Sequence, residues 1–231
     1  MHWVPLESNP SVFTKYAYAL GAEEKIAYCD VYGLDEALLA MVPAPVHAIC
    51  LLMPSPAARA MRQQLADKTV TDPKMFPEGL WYTHQTVSNA CGSVAMMHIL
   101  ANVKPYVLSE GSKLGSFVSR TKGMNPVDIA KSMETSDELA AVHDSFAQQG
   151  DTAPPEDPKE KVDEHFVAFV PFNGKLVELD GAKEGPVVHG DVTSDTFLLQ
   201  AAEICKEYMK HSEGSLKFAV TALIDSDKLD D

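Results

Sequence analysis

His165-Phe166-Val167-Ala168-Phe169-Val170-Pro171-Phe172-Asn173-Gly174-Lys175-Leu176-Val177-Glu178-Leu179-Asp180 is the stretch whose reading decides the fold. Its first half is apolar and alternating. Asn173-Gly174 is the dipeptide that tolerates positive φ at both centres of a two-residue turn, and Lys175 to Leu179 reads as the returning strand. A hairpin with that turn sets His165 near the level of Ala182, with Asp180 within two residues of it.

Upstream, Gly150 to Lys161 is rich in proline and charge and reads as an exposed mobile loop. Helices are expected over Lys113 to Ser119, Pro126 to Met133 and Ser136 to Gln148. Cys91 to Asn102 places Val94, Met97, His98 and Leu100 among small residues, the pattern of a helix surrounded by core. Pro45 to Met53 is a continuous apolar run that reads as a buried central strand, and Ala57 to Asp67 and Asp35 to Met41 as helices. At the start, Asn9 is placed to cap a helix opening on Pro10, with Val12, Phe13, Tyr16 and Leu20 at helical spacing and Gly21 closing it. Downstream, Thr193 to Met209 carries Phe197, Leu198, Ala201, Cys205 and Tyr208 on one stripe, and Leu216 to Ile224 reads as a last strand. Helices and strands interleave without an internal repeat, so the expected class is α/β or α+β around one central sheet, in one domain spanning residues 1–231.

Composition narrows the function classes. A net charge of −14 disfavours nucleic acid, which needs clustered Lys and Arg, and favours a basic or neutral partner. The longest apolar run is far too short to cross a bilayer, and Met1-His2-Trp3-Val4-Pro5 has no leader character. Cytosol, with the nucleus as a second compartment, is the expected location. Cys29, Cys50, Cys91 and Cys205 lie far apart with no C-x-x-C pair, which suggests neither a zinc site nor a disulfide framework. No metal and no organic cofactor is expected.

Cys91 stands apart from the other three. Ser88-Asn89-Ala90-Cys91-Gly92 leads into a helix, where unsatisfied N–H groups and the macrodipole favour a thiolate. Cys50 and Cys205 fall on apolar runs and read as small buried hydrophobes, as does Cys29. A thiolate protease also needs an imidazole, and His165 begins a strand beside a flexible segment, where substrate can enter. Asp180, near His165 across the hairpin, can orient that ring, although an Asp before Gly181 is also an ordinary turn residue. Gln85, six positions before Cys91, can donate to an oxyanion. His98 lies too far along its helix to reach the thiol.

The motifs Gln85-Thr86-Val87-Ser88-Asn89-Ala90-Cys91-Gly92, Asp163-Glu164-His165-Phe166-Val167-Ala168 and Glu178-Leu179-Asp180-Gly181 together resemble the ubiquitin C-terminal hydrolases. Trp3 to Pro10 and Asp30-Val31-Tyr32-Gly33-Leu34 are similar to the short members of that family, of the L3 type, and the resemblance covers nearly the whole chain without a long C-terminal extension. It implies a papain-like cysteine protease core with a knotted backbone, Cys91 as nucleophile, His165 as general base, Asp180 as its orienter and Gln85 in the oxyanion hole. A crossover loop over the site would correspond to Ala147 through Val162, favouring small or unfolded adducts. The resemblance also implies ubiquitin contacts from Pro5, Leu6, Glu7, Ser8, Asn9 and Pro10, from Asn89, and from Leu216, Lys217, Phe218 and Ala219. Acidic residues such as Glu7 and Asp30 suit the basic ubiquitin tail. Ubiquitin is thus the expected partner of a monomeric enzyme, NEDD8 the alternative modifier, and a ubiquitin-storing protein with little turnover the competing reading.

Overall fold

The computed structural model describes residues 3–103, 108–109, 111–147, 149–150, 162–212 and 214–229. The chain runs α1 (Pro10–Leu20), β1 (Ile26–Asp30), α2 (Glu36–Leu39), β2 (Val46–Pro54), α3 (Ser55–Gln64), α4 (Cys91–Asn102), α5 (Lys113–Arg120), α6 (Pro126–Glu134) and α7 (Asp137–Phe146). It continues through β3 (Glu164–Phe172), β4 (Lys175–Leu179), β5 (Val187–Asp191), α8 (Ser194–Lys210) and β6 (Ala219–Asp225). The strands form one antiparallel sheet in the order β1-β6-β2-β3-β4-β5.

The hairpin forms as its turn chemistry requires. Asn173 and Gly174 take φ of 48° and 74°, and the register pairs Phe172 with Lys175 and Ala168 with Leu179. β2 lies between β6 and β3, at the centre where a run of apolar residues belongs. Period-two alternation then sends the strand side chains to two cores. Phe166, Ala168, Val170, Ala48 and Cys50 join Phe13, Val94, Leu114, Ile129 and Leu139 on one face. Val167, Phe169, Ile49, Leu51 and Met53 join Met61, Phe197, Cys205 and Tyr208 on the other. Helices therefore cover both faces of the sheet, as in an α/β architecture.

Three differences from the sequence reading have simple causes. β1 and β5 were not anticipated; each is a five-residue strand at a sheet edge, with no tight-turn signal joining it to its neighbour. The last strand begins at Ala219 rather than Leu216: Leu216 is 95% exposed, so its apolar character is not used in pairing. Residues 151–161, expected as a mobile loop, lie outside the described residues.

Under the hairpin lies a buried ionic cluster. Glu178 on β4 is paired with the Lys183 ammonium, accepts from the Tyr208 hydroxyl at 2.6 Å and contacts His189 Nε2 at 2.7 Å. Burial alone would raise the Glu178 carboxyl, but Lys183 and His189 outweigh it and hold the group below its usual range. Both Glu178 and Lys183 are nearly inaccessible, so each depends on the other for its charge. Glu178→Gln strands the Lys183 ammonium and is expected to cost about 3–5 kcal/mol of stability in urea unfolding. A loss under about 1 kcal/mol would mean that the pair is not ionised in the native state.

Candidate active site

Helix α4 begins at Cys91, and its cap residue, Ala90, has no side chain that can satisfy the first-turn N–H groups. By contrast, Asn9, Ser112, Asn125 and Ser136 each cap their helices with a side-chain oxygen. The positive end of α4 is thus left open at the thiol. α4 is apolar all round and buried along its length, packed against β3, so the position of Cys91 is held by core packing rather than by a loop. Gly92 makes the approach possible. A Cβ there would lie 3.2 Å from the Leu6 side chain and 3.3 Å from the Phe166 ring.

His165 stands at the start of β3, paired with Met53 of β2. Its Nε2 is 2.7 Å from Asp180 Oδ1. Cys91 acts on the same ring, and with Nε2 taken by Asp180 the nitrogen left for the sulfur is Nδ1. Asp180 follows the last residue of β4 and is 1% exposed. Its Oδ1 accepts from Ala182 N at 2.9 Å, and Arg62 Nη2 lies 3.5 Å from its Oδ2. Asp180 is therefore both a turn residue and the partner of the imidazole. The Tyr82 hydroxyl reaches the carbonyls of Asp180 and Lys183, at 2.7 and 2.8 Å.

Gln85 is tied to the same turn: its backbone N–H donates to the Gly181 carbonyl at 2.7 Å. Gly181 allows this approach, because a Cβ there would sit 3.0 Å from Gln85 Cβ and 2.8 Å from Val94. The Gln85 amide donates to the Val87 carbonyl at 3.2 Å, which leaves its second N–H for another acceptor.

Electrostatics separate this group from the rest of the chain. Burial pulls the His165 imidazole down, but the Asp180 carboxylate and the bond to Cys91 outweigh it and lift the ring to about 10. Burial would raise Asp180; the His165 cation, then Lys183 and Arg62, hold it well below the carboxylate range instead. Cys29 is pushed up to about 11, first by burial and then by Asp30. Burial likewise pushes Cys50 and Cys205 far up. Among the described residues no group of three or more His, Cys, Asp and Glu is placed to hold a metal ion. No helix among them is long and apolar enough to cross a membrane.

A groove of about 440 Å³ has Cys91 in its lining. Of the expected contact residues, Pro5, Leu6, Glu7, Ser8, Lys217, Phe218 and Ala219 line it. Asn9 and Pro10 instead start α1, Leu216 projects into solvent, and Asn89 holds a left-handed backbone (φ 60°) two residues before the thiol. Arg62, Tyr82 and Lys183 were not singled out from sequence. Arg62 and Tyr82 reach the Asp180 turn from distant elements, which no spacing in the chain signals, whereas Lys183 lies in the turn itself, its N–H donating to the Asp180 carbonyl at 2.9 Å.

Residues 3–210 match the family model described as ubiquitin carboxyl-terminal hydrolase, family 1. A ubiquitin carboxyl-terminal hydrolase of Aplysia californica is 46% identical over 209 residues, covering 90% of this chain and 94% of the relative. The human isozyme L1 is 34% identical over 224 residues, covering 96% and 98%. Among solved structures, the Trichinella spiralis UCH37 catalytic domain bound to ubiquitin vinyl methyl ester superposes with a TM-score of 0.77 at 26% identity, covering 97% of this chain and 96% of that one.

His165 holds its proton more tightly in the folded chain than in the unfolded one, so the stability it contributes is complete below about pH 6.5 and is lost as pH rises through about 10. Asp180 acts in the opposite sense, contributing above the carboxylate range and losing that contribution on acidification. The gap in unfolding temperature between the native chain and His165→Ala should therefore narrow between pH 6.5 and pH 10. A constant gap across that window would show that His165 carries no linked charge.

Proposed function

The chain belongs to ubiquitin carboxyl-terminal hydrolase family 1, which makes it a deubiquitinating cysteine protease, and we propose that Cys91 is its nucleophile, with His165, Asp180 and Gln85 serving it. The observation that carries this assignment is the continuous line from Asp180 Oδ1 through the His165 ring to Cys91 at the uncapped start of α4.

The chemistry follows from that line. Asp180 fixes the ring with Nδ1 toward the sulfur and favours the imidazolium, so proton transfer from the thiol to His165 is assisted from both ends. The thiolate attacks the carbonyl carbon of the C-terminal glycine of ubiquitin, and the oxygen that becomes negative is received by the Cys91 N–H and the Gln85 amide. Collapse of this intermediate breaks the bond to the adduct, whose nitrogen or sulfur takes the proton from His165. Water, activated by the neutral imidazole, then attacks the thioester and releases ubiquitin with Cys91 restored.

The groove lined by Pro5 to Ser8 and by Lys217 to Ala219 suits an extended tail lying between the N-terminal segment and the start of β6. The Glu7 carboxylate there favours a basic tail, while Glu164 is paired with Lys217 at 2.9 Å. We assign small or unfolded adducts as substrates, NEDD8 as a second modifier to be compared, and a monomer as the working form. Four unpaired cysteines suit a reducing compartment, the cytosol or nucleus.

Ubiquitin carrying a C-terminal vinyl methyl ester should form one covalent adduct with the native chain and none with Cys91→Ala. In the same variant, turnover of a ubiquitin C-terminal amide should fall by about four orders of magnitude or more, while ubiquitin is still bound. Tight ubiquitin binding without turnover in the native chain would instead favour a ubiquitin-storing protein. An adduct that survives Cys91→Ala would remove Cys91 from its role.

A further inference from the structure

Ser93 lies two residues beyond Cys91 on α4, completely buried, in a region that the chemistry above does not use. Three elements meet at its hydroxyl. Tyr16 of α1 donates to Ser93 Oγ at 3.0 Å, and Ser93 Oγ is 2.8 Å from His143 Nδ1 on α7. The other nitrogen of that ring, Nε2, is 2.7 Å from the carbonyl oxygen of Val4. A carbonyl can only accept, so Nε2 carries the proton and Nδ1 accepts from the serine. Tyr16 then supplies the remaining donor, and every polar atom along the line has a defined role.

The far end of this line is the groove wall. Trp3 stacks on the His143 ring with centroids 4.3 Å apart, and Trp3 N donates to the Ser88 carbonyl at 3.1 Å, just before Cys91. Leu6 meets the α4 backbone at Gly92, and Pro5 to Ser8 line the groove. Burial pulls His143 down to about 4, the Val4 carbonyl and Asp144 opposing it only in part, so the ring is neutral and suited to donate at one nitrogen and accept at the other.

We propose that His143 is a positioning residue for substrate binding: through Ser93 on one side and Val4 on the other, it holds the N-terminal groove wall in register with the helix that carries Cys91. The inference rests on the ubiquitin-hydrolase reading of the groove. It assigns His143 to the capture of the substrate tail and not to bond cleavage, since its ring faces Ser93 and Val4 rather than the sulfur.

The test compares the native chain with His143→Phe, which keeps an aromatic ring for Trp3 but removes both hydrogen bonds, and with Ser93→Ala, which removes the middle link. Steady-state hydrolysis of a ubiquitin C-terminal fluorogenic amide is run beside the rate of Cys91 alkylation by iodoacetamide. In His143→Phe, KM should rise at least about fivefold, the size of one lost buried hydrogen bond, with kcat and alkylation within about twofold of native. In Ser93→Ala, KM should rise in the same direction by a smaller factor, and this variant carries the test if His143→Phe does not fold. Unchanged KM in a folded variant would overturn the proposal. So would a fall in kcat and alkylation as large as the rise in KM, because that pattern marks general disturbance of α4. A native chain that leaves the ubiquitin amide intact would instead overturn the reading of the groove, so the two failures are distinguishable.

Discussion

The hydrogen bond between His165 and Asp180 depends on a turn at the opposite end of the hairpin. Asn173 and Gly174 set the register, the register brings β4 to its last residue just short of the level of His165, and the chain then turns with Asp180 directed at the ring. A slip of β4 by one residue would send its side chains to the other face and separate the pair. β3 is in turn held between β2 and β4 and packed under α4, so the same register also decides where the Cys91 thiol meets the imidazole. The geometry of three chemical groups thus rests on one two-residue connection and on the apolar alternation that follows from it.

Keeping a carboxylate such as Asp180 charged inside a protein requires compensation from several directions. The imidazole supplies most of it, and the Ala182 amide, Lys183 and Arg62 supply more from a backbone turn, a buried side chain and the surface-facing end of α3. Lys183 also neutralises Glu178, so the ionic cluster under the hairpin and the imidazole line above it share one cation. Neighbouring charges in so dry an environment are coupled strongly. The strand end that carries Asp180 is consequently fixed by polar contacts on one side and by the Tyr82 hydroxyl on the other.

Much of this was legible in the residues. The α4 boundary came from the apolar pattern after Cys91, and the α1 boundaries from Asn9, Pro10 and Gly21, because caps are local chemistry. The hairpin was legible because Asn-Gly restricts its own backbone, and the nearness of His165 and Asp180 followed from it. What was not legible is whatever depends on distant pairing. β1 and β5 are strands because β6 and β4 offer them edges, and Ile26 to Asp30 alone shows too short a pattern to announce it. Arg62 reaches Asp180 by tertiary packing, and His143 reads in sequence as any helical histidine. The groove residues divided along the same line: Pro5 to Ser8 line the cleft, while Asn9 is taken by its cap, a role that its residue type also signals.

The position of β6 carries a consequence for how the molecule is made. Of the strands described, it is the last along the chain, yet it lies between β1 and β2, two of the earliest. During synthesis on the ribosome, the central strand β2 can recruit only its β3 neighbour, and its other edge stays open until Ala219 to Asp225 emerges. Nascent chains that stall before this point expose an apolar edge with unpaired amides, the surface that other chains and chaperones engage. Closure of the sheet is therefore a late event, in which the last of the described strands slots between the first two.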